Sequence, residues 1–411
     1  MTMSQSEISV RSRFWASRRG LLAGAAVVVL AAGGATALAA SHAGSHQRAA
    51  SATRLTSASC SGPTGAAYIA LAGWDGFSAI NTANCDILQT YNVGDPQVPG
   101  DPGDYNYAST DEGVAVSGSN LYFADAGSDN ISVIDSATLD PSNYNPTETD
   151  IHVGFVPTDL TVNPSGSQLW VADTGPQTDL RHALSGIKVI STASNTVVGK
   201  LRLHGGPEEI AFSPSGSYAY VTSSIGLYVV KTSNLHVVRV IPGLGDPHGV
   251  VVSPDGSHIY VTNTQRGEVD VFNAATLRLS GRIAVGQLPW QIITSSDGST
   301  IYVTDADSNA VSVISAATQT VTHTISLAGD PDTLALTPDG SELWVAGLTS
   351  AWVTIYDTSN YTQAGTINLG GFYANSADGY EPTGMILVST PTPGSSANVK
   401  FKQNGPGSTK S

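Results

Sequence analysis

Glu112, Glu208, His248 and Asp332 are the side chains of this sequence best disposed for chemistry. Each stands one residue into a short run rich in Val, Ile, Leu and Ala, and Glu208, His248 and Asp332 directly follow a proline. Asp159 and Glu209 stand one residue further along their own runs. If these runs converge on one axis, several carboxylates and one imidazole gather at its mouth. Oxygen ligands at that density suit a hard divalent cation such as Ca²⁺, and His248 adds affinity for a transition metal. Crowded carboxylates also raise one another's pKa, which suits general acid–base work. A solvated polar channel is the plainer alternative. Both readings stay open, as does whether the first or the second residue of each run faces inward.

The elements that must position these groups come from a repeat of about 40 residues. The stretch from Gly245 to Gly286 reads GDPHGVVVSPDGSHIYVTNTQRGEVDVFNAATLRLSGRIAVG, and the stretches from Gly205, Gly286 and Gly329 follow it in register. Two further units, beginning near Asp111 and Gly154, are interrupted by insertions. Each unit offers four short strands. Its first turn, Ser253-Pro254-Asp255-Gly256 in the Gly245 unit, combines a proline that presets φ with a glycine free to take positive φ. Four strands per unit with polar turns and no helical period predict one propeller blade.

Tyr260-Val261-Thr262-Asn263, Tyr302-Val303-Thr304-Asp305 and the Val-Ser-Val-Ile that follows the latter resemble the YVTN-repeat β-propeller family over roughly residues 66–390. The resemblance implies an all-β, seven-bladed propeller of four-stranded antiparallel blades. It implies little about activity, because that family spans surface-layer proteins, binding proteins and relatives of enzymes. Complete inner strands are expected to begin near Asp111, Pro157, Pro207, Pro247, Pro289 and Pro331. Residues 66–94 lack an inner strand and residues 382–389 supply one, so the two termini are expected to share blade seven and close the ring.

The expected organisation is an export signal over 1–39, a polar linker over 40–63, the propeller over 64–390 and a disordered tail over 391–411. Cys60 and Cys85, the only cysteines, flank strands of blade seven and read as one disulfide in an exported chain. Arg18-Arg19 before an uncharged Ala-rich stretch fits twin-arginine export. The general secretory route and an uncleaved membrane-anchoring helix are the alternatives. The long insertions 95–110, 174–186 and 371–381 are expected on one face, called the top. They carry Tyr105, Tyr107, Arg181, His182, Phe372, Tyr373 and Tyr380, and Trp290 is expected beside them. Aromatic groups next to polar ones suit sugar or peptide, although tyrosines also pack their own loops.

Outside residues 1–39 the chain carries 14 basic and 32 acidic side chains. That balance argues against nucleic acid and against anionic membranes once the leader is removed. A cell-wall glycan, a peptide or a protein remains as a possible partner of a monomeric protein. No G-x-S-x-G, H-E-x-x-H, C-x-x-C or phosphate-loop signature is present. The favoured expectation is therefore a non-catalytic binding or scaffold protein at or beyond the cell surface. The alternative is a metal-dependent hydrolase or lyase resembling lactonase-type propellers. A third possibility, an accessory subunit of a redox enzyme, would need a large apolar contact patch.

Overall fold

The computed structural model describes residues 65–72, 76–92, 111–125, 129–140, 142–143, 145–154, 156–175, 185–347, 352–369 and 381–389. They form seven four-stranded antiparallel sheets. Blade 1 begins with Asp111–Ser117, blade 2 with Pro157–Val162, blade 3 with Pro207–Phe212, blade 4 with Pro247–Val252, blade 5 with Pro289–Thr294 and blade 6 with Pro331–Leu336. Blade 7 joins Glu381–Ser389 as its inner strand to Gly65–Ala72, Gly76–Asn81 and Ile87–Asn92. Its inner strand packs against the inner strands of both blade 6 and blade 1, so the ring closes through the two ends of the propeller.

Side-chain alternation builds the core between blades. Seven apolar clusters each join one blade to the next. Tyr220, Leu227 and Val229 of blade 3, for example, pack on Val250, Ile259, Val261 and Phe272 of blade 4. Where blades 7 and 1 meet, Phe77 stacks on Phe123 with ring centroids 4.5 Å apart and planes 19° from parallel. Burial is thus shared only with neighbours, which is why the ring must close to leave no open face.

The repeated turns carry their own restraints. Gly256 takes φ +71° and donates its N–H to the Ser253 carbonyl at 2.8 Å. Asp255 accepts from the Ser253 hydroxyl at 2.5 Å and from Ser257 N–H at 2.9 Å, and Asp297 and Asp339 do the same in blades 5 and 6. These hydrogen bonds hold the exposed Asp255 and Asp297 carboxyls down at about 2.

Asp305-Ala306-Asp307-Ser308-Asn309, which resembles a calcium loop only faintly, is a strand-to-strand turn with one short 3-10 segment, Ala306–Ser308. Cys85 sits buried in the turn between the third and fourth strands of blade 7. Cys60, the leader, the linker and the tail lie outside the described residues. Among the described residues no helix is long and apolar enough to cross a membrane.

Candidate functional site

The inner strands do not run regularly at their starts. In blades 1, 3, 4 and 5 the pairing with the second strand skips two residues after the first, for example between Pro247 and Val250. Blades 2 and 6 skip one. Such a bulge takes backbone groups off the ladder and re-aims side chains. The residues involved include Glu208, Glu209, His248, Trp290 and Gln291, so the candidate chemistry sits on irregular backbone.

Freed N–H groups must find other acceptors. The buried threonine of each Tyr-Val-Thr triplet supplies one. Thr262 Oγ1 accepts from Gly249 N–H at 2.7 Å and donates to the Trp290 carbonyl of the next blade at 2.9 Å. Thr222 accepts from Glu209 N–H at 3.0 Å and donates to the His248 carbonyl at 2.5 Å. Thr304 accepts from Gln291 N–H at 2.9 Å. Gly249 is required by the same close approach, because a Cβ there would lie 2.5 Å from the Trp290 carbonyl oxygen.

The third residue of the inner strand spans the next blade boundary in blades 2, 3 and 5. Asp159 Oδ2 accepts from Ile210 N–H at 2.9 Å, Glu209 Oε2 from Val250 N–H at 3.2 Å, and Gln291 Oε1 from Leu334 N–H at 2.6 Å. Burial pushes the Asp159 carboxyl up to about 6 against hydrogen bonds from Ile210, Thr161 and Leu160 that pull it down. The Glu209 carboxyl is raised well above its ordinary value, first by burial and then by the charges of Asp159, Glu208 and Asp332.

His248 Nδ1 lies 3.7 Å from Glu209 Oε1, and the His248 ring stacks on Trp290 with centroids 3.5 Å apart. The charges of Asp159, Glu208 and Asp332 act on the Glu209 carboxyl, and His248 stands 3.7 Å from it. The third-position acceptors Asp159 and Glu209 each hold a neighbouring blade's N–H. Among the described residues no group of three or more His, Cys, Asp and Glu side chains is placed to hold a metal ion. Trp290, expected with the top-face aromatics, stacks on His248. The side chain of Glu112 lies outside the described residues, as do Tyr105, Tyr107, Arg181, His182, Phe372, Tyr373 and Tyr380.

A second polar belt follows the ends of the second strands. Asp173 is buried and holds the Lys188 ammonium, with Gly175 N–H on its other oxygen at 3.1 Å. Asn263 donates to Asp270 at 3.2 Å, and Arg282 reaches Asp270 at 2.9 Å. In blade 5 the equivalent Asp305 receives only hydroxyl and backbone N–H groups, Ser312 at 2.6 Å among them. Without a cation beside it, burial lifts the Asp305 carboxyl to about 6.

Sequence reasoning missed a cleft of about 610 Å³ between blades 5 and 6. Leu327 to Gly329 form one wall, and Trp352, Thr354, Tyr356, Gln363 and Thr366 of blade 6 form the other. Trp352 is 41% exposed while Tyr356 is buried. The available signal was Trp352 itself, an aromatic residue at the start of a third strand where the other complete blades carry Asn, Gly, Glu or Ala.

Residues 185–370 match the model of a YNCE-like β-propeller family. The structure is similar to that of a functionally unknown protein from Desulfotomaculum acetoxidans, at 15% identity and TM-score 0.60 over 79% of this chain and 99% of that one. It is also similar to Kuenenia stuttgartiensis hydrazine synthase, at 18% identity and TM-score 0.57 over 76% of this chain and 99% of that one. At these identities the likeness is one of fold. No curated protein matches the chain. The repeats, the seven closed blades and the match over residues 185–370 together make this chain a β-propeller consistent with the YVTN-type family.

Proposed function

We propose that the protein is an exported, non-catalytic binding propeller whose ligand, a cell-wall glycan, is held on its top face. The observation that carries this reading is the cleft between blades 5 and 6. There an exposed indole stands among the hydroxyls of Thr354 and Thr366 and the amide of Gln363. An aromatic face offers the C–H surface of a sugar ring a stacking partner, and hydroxyl and amide groups read its hydroxyls. The channel-mouth carboxylates weigh against the lactonase-like alternative, since Asp159 and Glu209 are engaged in joining blades. The Arg18-Arg19 leader supports export, and the presence of only two cysteines in an exported chain supports a Cys60–Cys85 disulfide.

The test uses the chain from residue 40 onward. Titration calorimetry with soluble cell-wall glycan fragments should give binding that Trp352→Ala abolishes while the melting temperature stays unchanged. The metal-dependent alternative instead requires a stoichiometric divalent cation whose chelation lowers the melting temperature. Absence of any glycan binding, together with such a metal, would overturn the proposal in favour of that alternative.

A further inference from the structure

The nine Lys and Arg residues between positions 55 and 399 all fall between Arg181 and Arg282. Eight of them, from Lys188 onward, belong to blades 2, 3 and 4. Blades 1, 5, 6 and 7 contain none, although all seven are copies of one architecture. The fold therefore does not need these cations.

Three of the eight are consumed internally. Lys188 holds Asp173, and Arg266 and Arg282 meet Glu268 and Asp270. Lys200, Arg202, Lys231, Arg239 and Arg278 are exposed, and none has a carboxylate within ion-pair distance among the described residues. Four of these five stand on Thr196–Arg202, His236–Pro242 and Arg278–Ala284, the outermost strands of three consecutive blades. Lys231 ends the adjoining strand of blade 3.

The same strands expose apolar side chains. Val198, at 57% exposure, Val238, Val240 and Leu279 stand among those cations. Cations alone would be explained by solubility or by protection of sheet edges. Unpaired cations interleaved with exposed aliphatic groups, on strands whose outer backbone groups lack a sheet partner, describe a surface that accepts a polypeptide.

We propose that the outer edge of blades 2–4 is a docking surface for an acidic polypeptide segment, whose carboxylates meet Lys200, Arg202, Arg239 and Arg278 and whose apolar side chains cover Val198, Val238 and Val240. Charge complementarity selects the partner. In a chain of formal net charge -15, this edge of the described propeller gathers exposed cations, so it fixes orientation as well as adding affinity. It shares no residue with the cleft beside Trp352, and the two sites stand or fall separately.

The test is fluorescence anisotropy on the mature chain with a short labelled peptide alternating Glu and Val. A counterpart with Gln for Glu and the polysaccharide polygalacturonate serve as controls. The Glu peptide should bind and weaken steeply between low and about 0.3 M salt. The combined variant Lys200→Gln, Arg239→Gln, Arg278→Gln should weaken it by about tenfold or more, equivalent to about 1.4 kcal/mol. Val238→Ser with Val240→Ser should weaken the peptide and leave polygalacturonate unaffected, and Trp352→Ala should change neither. All of these substitutions lie at exposed positions, and unchanged melting curves verify folding. The proposal is overturned if the Glu peptide does not bind, if the cation variant binds it as wild type does, or if the valine variant leaves it unchanged, which would reduce the edge to a nonspecific polyanion surface.

Discussion

Replacing Glu209 by Gln should stabilise the protein at neutral pH and leave it unchanged in mild acid. Glu209 performs a structural task that needs no charge. It accepts Val250 N–H from the next blade, and Gln291 performs the same task two blades on with an amide oxygen, at 2.6 Å from Leu334 N. The charge is what costs. Burial raises the Glu209 carboxyl well above its ordinary 4.5, and Asp159, Glu208 and Asp332 repel the ionised form.

The direction follows from proton binding. A carboxyl whose pKa is raised on folding binds more protons in the native state than in the unfolded chain. Its contribution is therefore fully present below pH 4.5 and is lost as pH rises. Between pH 4.5 and 7 the loss cannot exceed about 3 kcal/mol at 1.36 kcal/mol per unit. Glu209 keeps 20% of its side chain open to solvent. A screened value of about 1–2 kcal/mol is therefore expected at pH 7. At about 2 °C per kcal/mol for a domain of this size, Glu209→Gln should melt about 2–4 °C above wild type at pH 7. At pH 4 the two should coincide. Thermal unfolding followed by intrinsic fluorescence from pH 4 to 7.5 measures this. The reasoning fails if the variant is less stable than wild type at pH 7, or if the difference does not vary with pH. Glu209→Ala separates charge from hydrogen bond: it strands Val250 N–H and should lose about 1–2 kcal/mol of stability in mild acid, where the charge no longer matters.

Thr262→Val keeps shape but removes the hydroxyl that serves Gly249 N–H and the Trp290 carbonyl; chemical denaturation should show a loss of about 2–3 kcal/mol. Lys188→Met leaves the buried Asp173 carboxylate without its ammonium. It should cost about 3 kcal/mol or more, and less at pH 5 than at pH 8 because Asp173 then takes up a proton. Asp305→Asn, the residue type that Asn263 supplies in blade 4, removes a carboxyl held at about 6 and should raise the melting temperature at pH 7 but not at pH 4. If Cys60 and Cys85 are bonded, thiol titration of the denatured chain finds no free thiol and reduction lowers stability by roughly 3 kcal/mol.

Much of this propeller was legible in its residues. A run of Val and Ile ending in Ser-Pro-Asp-Gly carries its own strand and its own reversal, so the inner strands from Asp111, Pro157, Pro207, Pro247, Pro289 and Pro331 fall where the repeats predict them. The surplus of one terminal strand over an incomplete blade made the shared blade 7 readable too. These features are local, or they recur often enough to be counted.

What the carboxylates do was decided only by tertiary structure. Asp159 and Glu209 read as ligands converging on an axis, but a bulge in each inner strand turns them toward a backbone N–H some 41 to 51 residues away. No spacing within one repeat encodes that partner, because it belongs to the next blade. The threonine of Tyr-Val-Thr has the same character. It recurs visibly at 222, 262 and 304, yet its link to the following blade exists only once two blades pack and leave a single hydroxyl to satisfy groups from both. The cleft beside Trp352 and the cationic edge of blades 2–4 likewise depend on which strands the ring brings side by side and which it leaves at its rim.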